Sequence, residues 1–309
     1  MAVPLLKLGT RGSRLALTQA GLVRDALAAA VPALAAADAI EIVPIKTTGD
    51  VIQDRPLSEA GGKGLFVKEI EEALLSQRID VAVHSMKDMP TAQPAGLVIA
   101  AFLPREDARD VLIAGDAKRI ADLRQGAIVG TSALRRRAQL LHRRPDLQIV
   151  NLRGNVETRL AKRAAGTVEA TLLALAGLKR LGMAHVGTPV SEDEMLPAVG
   201  QGAVCIECRE DDAKTLIWLA AINHTPTAIC VAAEHAMLAV LDGSCRTPIA
   251  GHAILAPDGV LHLRGLIVKP DGSELIVTER RGAATDAEAL GRDAGHELKR
   301  RGGPGFLST

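Results

Sequence analysis

About two-thirds of the way along, the chain changes rhythm, and that change sets its fold class. Before it, short apolar runs alternate with segments of helical period. Residues 5–8, 39–47, 80–84, 127–130 and 148–152 read as strands. Ser13 is placed to cap a helix in which Leu15, Leu22, Val23, Ala26 and Leu27 share one face. Phe66, Ile70 and Leu74 line up on a second helix over 65–75. Strands alternating with helices predict an α/β fold with a mostly parallel sheet covered on both sides. After the change, a helix over 227–241 carries Ile229, Ala233, Met237 and Val240, and strands follow at 249–255, 260–268 and 274–280. Pro257-Asp258-Gly259 and Pro270-Asp271-Gly272 separate those strands with the chemistry of tight antiparallel turns. A last helix over 286–300 completes a separate α+β unit beginning near Asn223.

At 309 residues the chain has room for two or three domains. With one Trp, three Phe and no Tyr, its cores must be built from Ala, Leu, Val and Ile. Stacking platforms for nucleic acid are nearly absent. A net charge of +1 offers no overall field for steering onto a polyanion, so any anion must be held by local clusters. The first ten residues lack a basic segment followed by an apolar run, and Arg24, Asp25, Pro32 and Asp38 interrupt the Ala-rich stretch 21–40. Neither a secretory signal nor a membrane span is expected. Four cysteines without a signal point to a reducing cytoplasm and free thiols.

Arginines cluster where strands end. Arg11 and Ser13 follow the first strand, Thr131, Ser132, Arg135 and Arg136 a later one, and Arg153 the next, with Arg159 one turn into its helix. Ligands of open α/β sheets bind outside the carboxyl ends of strands, where helix N-termini favour anions. Arg in a first helical turn opposes the macrodipole, so its repetition at such sites predicts a ligand with many carboxylates or phosphates. Arg137, Arg143 and Arg144 fit a solvated basic face instead. The segment 81–90 releases His84, Ser85, Lys87 and Asp88 from a buried strand, and a carboxylate there suits stabilising a developing cation or holding an N–H donor. An internal Lys–Asp pair is the structural alternative. Gly61, Gly62 and Gly64 surround Lys63 in a loop that departs from a Walker A sequence. Cys205 and Cys208 have metal-site spacing but lie in a strand, pointing to opposite faces, and Cys230 reads as core. Cys245 follows a helix end beside Arg246, where a thiol of lowered pKa could act as a nucleophile.

Eight segments in order resemble the porphobilinogen deaminase family: TRGSRLAL at 10–17, GGKGLFVKE at 61–69, VHSMKD at 83–88, GTSALRR at 130–136, LRGNV at 152–156, LKRLG at 178–182, VGQGA at 199–203 and GSCRTP at 243–248. Ala133 departs from the family, in which a second Ser is common, and Arg14 stands where Pro is frequent. The resemblance implies two periplasmic-binding-protein-like lobes and a small C-terminal α+β domain. Lobe one would hold 1–103 and 203–222, lobe two 108–196, and the third domain 223–309. It implies a transferase that joins four porphobilinogen molecules, with loss of ammonia, into hydroxymethylbilane for tetrapyrrole biosynthesis. Cys245 would carry one dipyrromethane cofactor covalently, held also by Ser13, Lys87, Asp88, Thr131, Ser132, Arg135, Arg136 and Arg153. Asp88 would be catalytic. Arg11, Ser13, Lys63, Phe66, Arg153, Arg159, Arg180 and Gln201 would contact substrate. We expect a cytoplasmic monomer with no metal, nucleic acid, membrane or stable protein partner. A non-catalytic two-lobed carboxylate- or phosphate-binding protein is the alternative; it leaves Cys245 and the third domain without a role.

Overall fold

The computed structural model describes residues 4–51, 65–243 and 247–307. Strand β1 (Leu6–Arg11) runs into helix α1 (Arg14–Ala30), followed by β2 (Ile40–Ile45), α2 (Thr48–Val51), α3 (Lys68–Leu75), β3 (Val81–Ser85) and β4 (Leu97–Phe102). The chain then crosses over 103–109 into β5 (Asp110–Ile113), β6 (Ile128–Gly130), α4 (Leu134–Arg143), β7 (Gln148–Val150), α5 (Val156–Ala164), β8 (Ala170–Ala174), α6 (Leu175–Arg180) and β9 (Thr188–Pro189). A second crossing over 190–203 leads to β10 (Val204–Arg209), α7 (Ala213–Ala220) and α8 (Thr225–Val240). Strands β11 (Ile249–Leu255), β12 (Val260–Val268) and β13 (Leu275–Ala283) precede α9 (Ala287–Gly302).

The described strands form three sheets, ordered β2-β1-β3-β10-β4, β7-β6-β8-β5-β9 and β11-β12-β13. The fold is α/β, with two five-stranded lobes and a small C-terminal domain of a sheet plus helices. The expected mostly parallel sheet occurs twice, each time with one reversed strand. β1 runs parallel to β2 and β3, but β10 is antiparallel to β3 and β4. Likewise β6 is parallel to β7 and β8, while β5 is antiparallel to β8 and β9. The reason is topological. β5 and β10 are the strands entered from the opposite lobe, so each starts at the edge where the parallel strands finish.

In the first lobe Leu6, Leu8, Val81, Val83, Val204 and Ile206 pack beneath Ala20, Val23 and Leu27 of α1. The buried stripe of α1 is Ala16, Gln19, Ala20, Val23 and Leu27, which corrects the expected face: Leu22 is 43% exposed and Leu15 lines a cleft. Small residues decide the rotation, since Ala16 and Ala20 let the helix approach the sheet closely. Ser13 caps α1, its Oγ accepting the Ala16 N–H at 3.2 Å. Arg144 corrects another expectation. Rather than being solvated, its Nη1 donates to Ile120 O at 3.1 Å and Leu123 O at 3.0 Å, and its Nε to Asp146 Oδ1 at 2.7 Å.

The C-terminal domain is tied to both crossings through Glu234 of α8. This fully buried carboxylate pairs with Arg105 and accepts the N–H groups of Gly200 and Ala253, each at 2.7 Å. Arg105 Nε in turn donates to Gln201 O at 2.9 Å. The β12–β13 turn touches lobe two, where His142 Nδ1 lies 2.9 Å from Gly272 O. The crossings themselves are close-packed. Gly202 has φ +90, and a Cβ there would sit 2.2 Å from Glu106 O. Gly202→Ala is expected to destabilise the protein by more than about 1–2 kcal/mol, the left-handed penalty alone. Scanning calorimetry would read this as a lower Tm, and an unchanged Tm would mean that the two crossings part without cost.

Candidate active site

The carboxyl ends of β1, β2, β3, β6, β7 and β8 border one cleft of about 910 Å³ between the lobes. Lobe one contributes Arg11, Ser13, Phe66, Lys87 and Asp88, and lobe two contributes Thr131, Ser132, Arg135, Arg136, Arg153, Arg159 and Arg180. Gln201 of the second crossing lies at the back, and Leu238, Thr247 and Ile249 of the C-terminal domain complete the lining. The lobes meet at its rim. Leu15 Cδ2 comes within 3.3 Å of where a Cβ on Gly177 would stand, and Arg14 Nη1 lies 3.4 Å from Glu157 Oε1.

The lobe-two wall is built on a buried charge cluster. Arg135 and Arg136, both in the first turn of α4 and both buried, share Asp110: Arg135 Nη1 is 2.8 Å from Oδ2 and Arg136 Nη2 is 2.8 Å from Oδ1. Arg135 also donates to Leu196 O at 2.9 Å and Arg136 to Leu172 O at 2.8 Å. Burial alone would raise the Asp110 pKa; the two guanidiniums outweigh it and hold the carboxyl well below its ordinary range. Two cations on one anion leave the wall positive. Burial, with Arg136 and Arg153 adding to it, pushes Arg159 down to about 10 against the pull of Asp88. Arg159 Nε donates to Gly154 O at 2.8 Å, and Arg180 Nη2 to Gly202 O at 2.8 Å.

On the lobe-one wall Arg11 is held twice. Its guanidinium stacks 4.2 Å from the Phe66 ring centroid and pairs with Asp50, the Nε lying 3.1 Å from Oδ1. Thr47 Oγ1 donates to the same carboxylate at 2.8 Å. Burial would lift the Asp50 pKa, but Arg11 and Thr47 bring it below its usual value. Asp88 ends the short 3-10 turn Met86–Asp88 after β3. Half-buried, its carboxylate has no hydrogen-bond or ion-pair partner among the described residues. Lys87 does not pair with it. Its Nζ instead lies 3.4 Å from Gln201 Oε1. The side chain keeps some exposed surface, yet protein surrounds the ammonium, and burial pushes it down to about 8. Asp88 opposes that shift, while Arg136 and Arg135 add to it.

This lining suits a ligand with several carboxylates and N–H donors. The arginines and Lys87 offer counter-charge, and among the described residues Arg136 Nε is a buried donor without an acceptor and Asp88 an acceptor without a donor. Ser13 and Thr131 accept backbone N–H groups through their oxygens, so each hydroxyl hydrogen is available to a ligand. Among the described residues no group of three or more His, Cys, Asp or Glu could hold a metal. Cys205 and Cys208 pack into different cores on opposite faces of β10, and Cys230 is buried.

A family model described as "Porphobilinogen deaminase, dipyromethane cofactor binding domain" matches residues 6–217, and "Porphobilinogen deaminase, C-terminal domain" matches 228–300. The chain belongs to the porphobilinogen deaminase family. Among its relatives, porphobilinogen deaminase of Paracoccus denitrificans is 58% identical over 303 residues, 98% of this chain and 96% of that one. The chloroplastic porphobilinogen deaminase of Oryza sativa subsp. japonica is 54% identical over 311 residues, 99% of this chain and 87% of that one. Among solved structures, the alkanesulfonate-binding protein SsuA from Xanthomonas axonopodis pv. citri bound to MOPS aligns at TM-score 0.38 and 17% identity, covering 77% of this chain and 75% of that one. The periplasmic aliphatic sulphonate binding protein SsuA from Escherichia coli aligns at 0.40 and 17%, covering 77% and 70%.

The match that carries the porphobilinogen deaminase name for the cofactor domain spans both charged walls of the cleft. The structure brings together Arg11, Ser13, Phe66, Lys87, Asp88, Thr131, Ser132, Arg135, Arg136, Arg153, Arg159, Arg180 and Gln201 along that cleft. Lys63 and Cys245 lie outside the described residues; Thr247, two positions after Cys245, lines the cleft. Two acids were not anticipated. Asp110 opens the apolar run DVLI, a weak signal of a buried acid needing a partner, and Asp50 follows Thr47, Thr48 and Gly49 at a strand end.

Proposed function

We propose that this chain joins four porphobilinogen molecules head to tail on a dipyrromethane held by Cys245 through a thioether, releasing ammonia at each addition and, when one water cleaves the finished chain from the dipyrromethane, hydroxymethylbilane. The observation that carries this reading is Asp88, an acid with no hydrogen-bond or ion-pair partner among the described residues, facing a wall of cations across the cleft. When bound, the dipyrromethane supplies the free pyrrole α-carbon that extends the chain. Asp88 accepts pyrrole N–H groups and offsets the positive charge that develops on porphobilinogen as ammonia departs. Each pyrrole brings an acetate and a propionate. Ser13, Lys87, Asp88, Thr131, Ser132, Arg135, Arg136 and Arg153 would hold the cofactor. Arg11, Ser13, Lys63, Phe66, Arg153, Arg159, Arg180 and Gln201 would receive substrate and the lengthening product, and bidentate guanidinium pairing suits Arg to that task.

The domain reading assigns 1–103 with 203–222 to lobe one, 108–196 to lobe two and 223–309 to the third domain; pairing of β10 within the first sheet supports it. We take the protein to be a cytoplasmic monomer working without metal, nucleic acid, membrane or stable protein partner. Near-balanced charge, few aromatics and the buried thiols Cys205, Cys208 and Cys230 support that reading. The non-catalytic binding protein is not favoured, because the matched family is named for an enzyme.

Intact-mass measurement tests the covalent primer. The purified chain is expected to exceed its sequence mass by roughly 420 Da, two porphobilinogen units less two ammonias, as a thiol-bound adduct requires. Cys245→Ser should show the bare mass and no turnover. A wild-type chain of bare mass that still makes hydroxymethylbilane would refute the attachment.

A further inference from the structure

Asp110 is fully buried where the first crossing enters β5. Groups distant in sequence converge on it: Arg135 and Arg136 from α4, and Gln201 from the second crossing, whose Nε2 lies 2.9 Å from Oδ1. The same Gln201 amide donates to Ala108 O at 2.6 Å, and its oxygen accepts Lys87 Nζ. An unbroken polar chain therefore runs from Lys87, next to Asp88, through both crossings to the lobe-two arginines. We propose that Asp110 is a positioning residue for the reaction, fixing Arg135 and Arg136 as one rigid anion-binding wall and registering that wall against Asp88 through Gln201 and Lys87. The assignment rests on the catalytic reading above. Its physical basis is preorganisation: guanidiniums already oriented by a buried anion need not reorganise when a ligand carboxylate arrives. Charge is the second effect. Asp110 and Asp88 favour the Lys87 ammonium while Arg135 and Arg136 disfavour it, so loss of the Asp110 charge lowers the Lys87 pKa further below about 8.

Full-length Asp110→Asn and Asp110→Glu test this. Asp110→Asn is expected to carry dipyrromethane in a smaller fraction of chains by intact mass. Its loaded form should show KM for porphobilinogen raised about tenfold or more with a smaller change in kcat, since misplaced binding groups act over about 1 Å. Lys87, followed by NMR of 13C-methylated lysines, should titrate at lower pH than in wild type. Asp110→Glu keeps the charge but displaces it, so Lys87 should titrate nearer wild type while KM stays raised. A lower Tm with wild-type loading, KM and Lys87 titration would make Asp110 merely structural and overturn the proposal. Should Asp110→Asn fail to fold, Asp110→Glu decides: raised KM at wild-type Tm supports the assignment, and wild-type KM and loading defeat it. A wild-type chain that neither carries dipyrromethane nor consumes porphobilinogen sinks the catalytic reading instead, so the two failures are distinguishable.

Discussion

Asp88→Ala is expected to lower kcat by about 10²–10³-fold or more, the scale for losing a preorganised electrostatic stabiliser, while leaving Tm unchanged. The second half of that expectation comes from geometry. Asp88 makes no hydrogen bond or ion pair among the described residues, so its removal breaks no protein contact of that kind. Asp88→Asn sharpens the test by keeping the volume and removing only the charge. It should be nearly as slow as Asp88→Ala. Single-turnover ammonia release, with thermal melts of all three proteins, checks both halves. Wild-type rates for Asp88→Asn would remove charge stabilisation from the mechanism, and a large loss of Tm would mean that the acid is structural.

Glu234→Gln should have the largest effect on stability, about 3–5 kcal/mol, because it leaves the Arg105 guanidinium without its buried counter-charge. That is a large share of a typical folding free energy of about 5–15 kcal/mol. An amide at this position also turns one acceptor into a donor facing the Gly200 or Ala253 N–H. The loss should depend on pH with a definite sign. Burial would raise the Glu234 pKa, but Arg105 and the backbone donors hold it below the ordinary 4.5. A depressed carboxyl stabilises fully above its unfolded value and loses that contribution as pH falls through the folded one. The gap between wild type and Glu234→Gln is therefore widest near neutrality and narrows below about pH 4.5. Urea unfolding at several pH values measures it. A gap that is small, or constant with pH, would show that the pair contributes little.

How much of this was legible in the sequence depended on how local each signal was. Strand-end arginines could be read because a strand, a loop and a first helical turn are contiguous, and all seven anticipated cleft cations within the described residues line one space. The runs LVIAAF, DVLI and ATLLA at 97–102, 110–113 and 170–174 form strands that the sequence pattern does not mark. Residues buried on both faces show no alternation, and without alternation a short apolar run has no period to reveal it. Asp110 was hidden for a different reason. Its partners lie 26 and 91 residues onward in the chain, brought near only by the double crossing. Glu234 was invisible in the same way, since nothing in an Ala-rich helix marks one glutamate as the fastener of two distant crossings. The reversal of β5 and β10 is not legible because pattern reveals strands but not the side from which the chain enters a sheet.

Asp50 already neutralises Arg11 at the cleft wall. An acid group arriving at Arg11 would not meet a naked cation; it would swap places with a resident anion, and the charge count at that spot would be unaltered. Such an exchange would be close to balanced, and capture there shallow and reversible. A shallow site suits a processive catalyst, in which each newly attached ring must vacate its berth before the next monomer can dock.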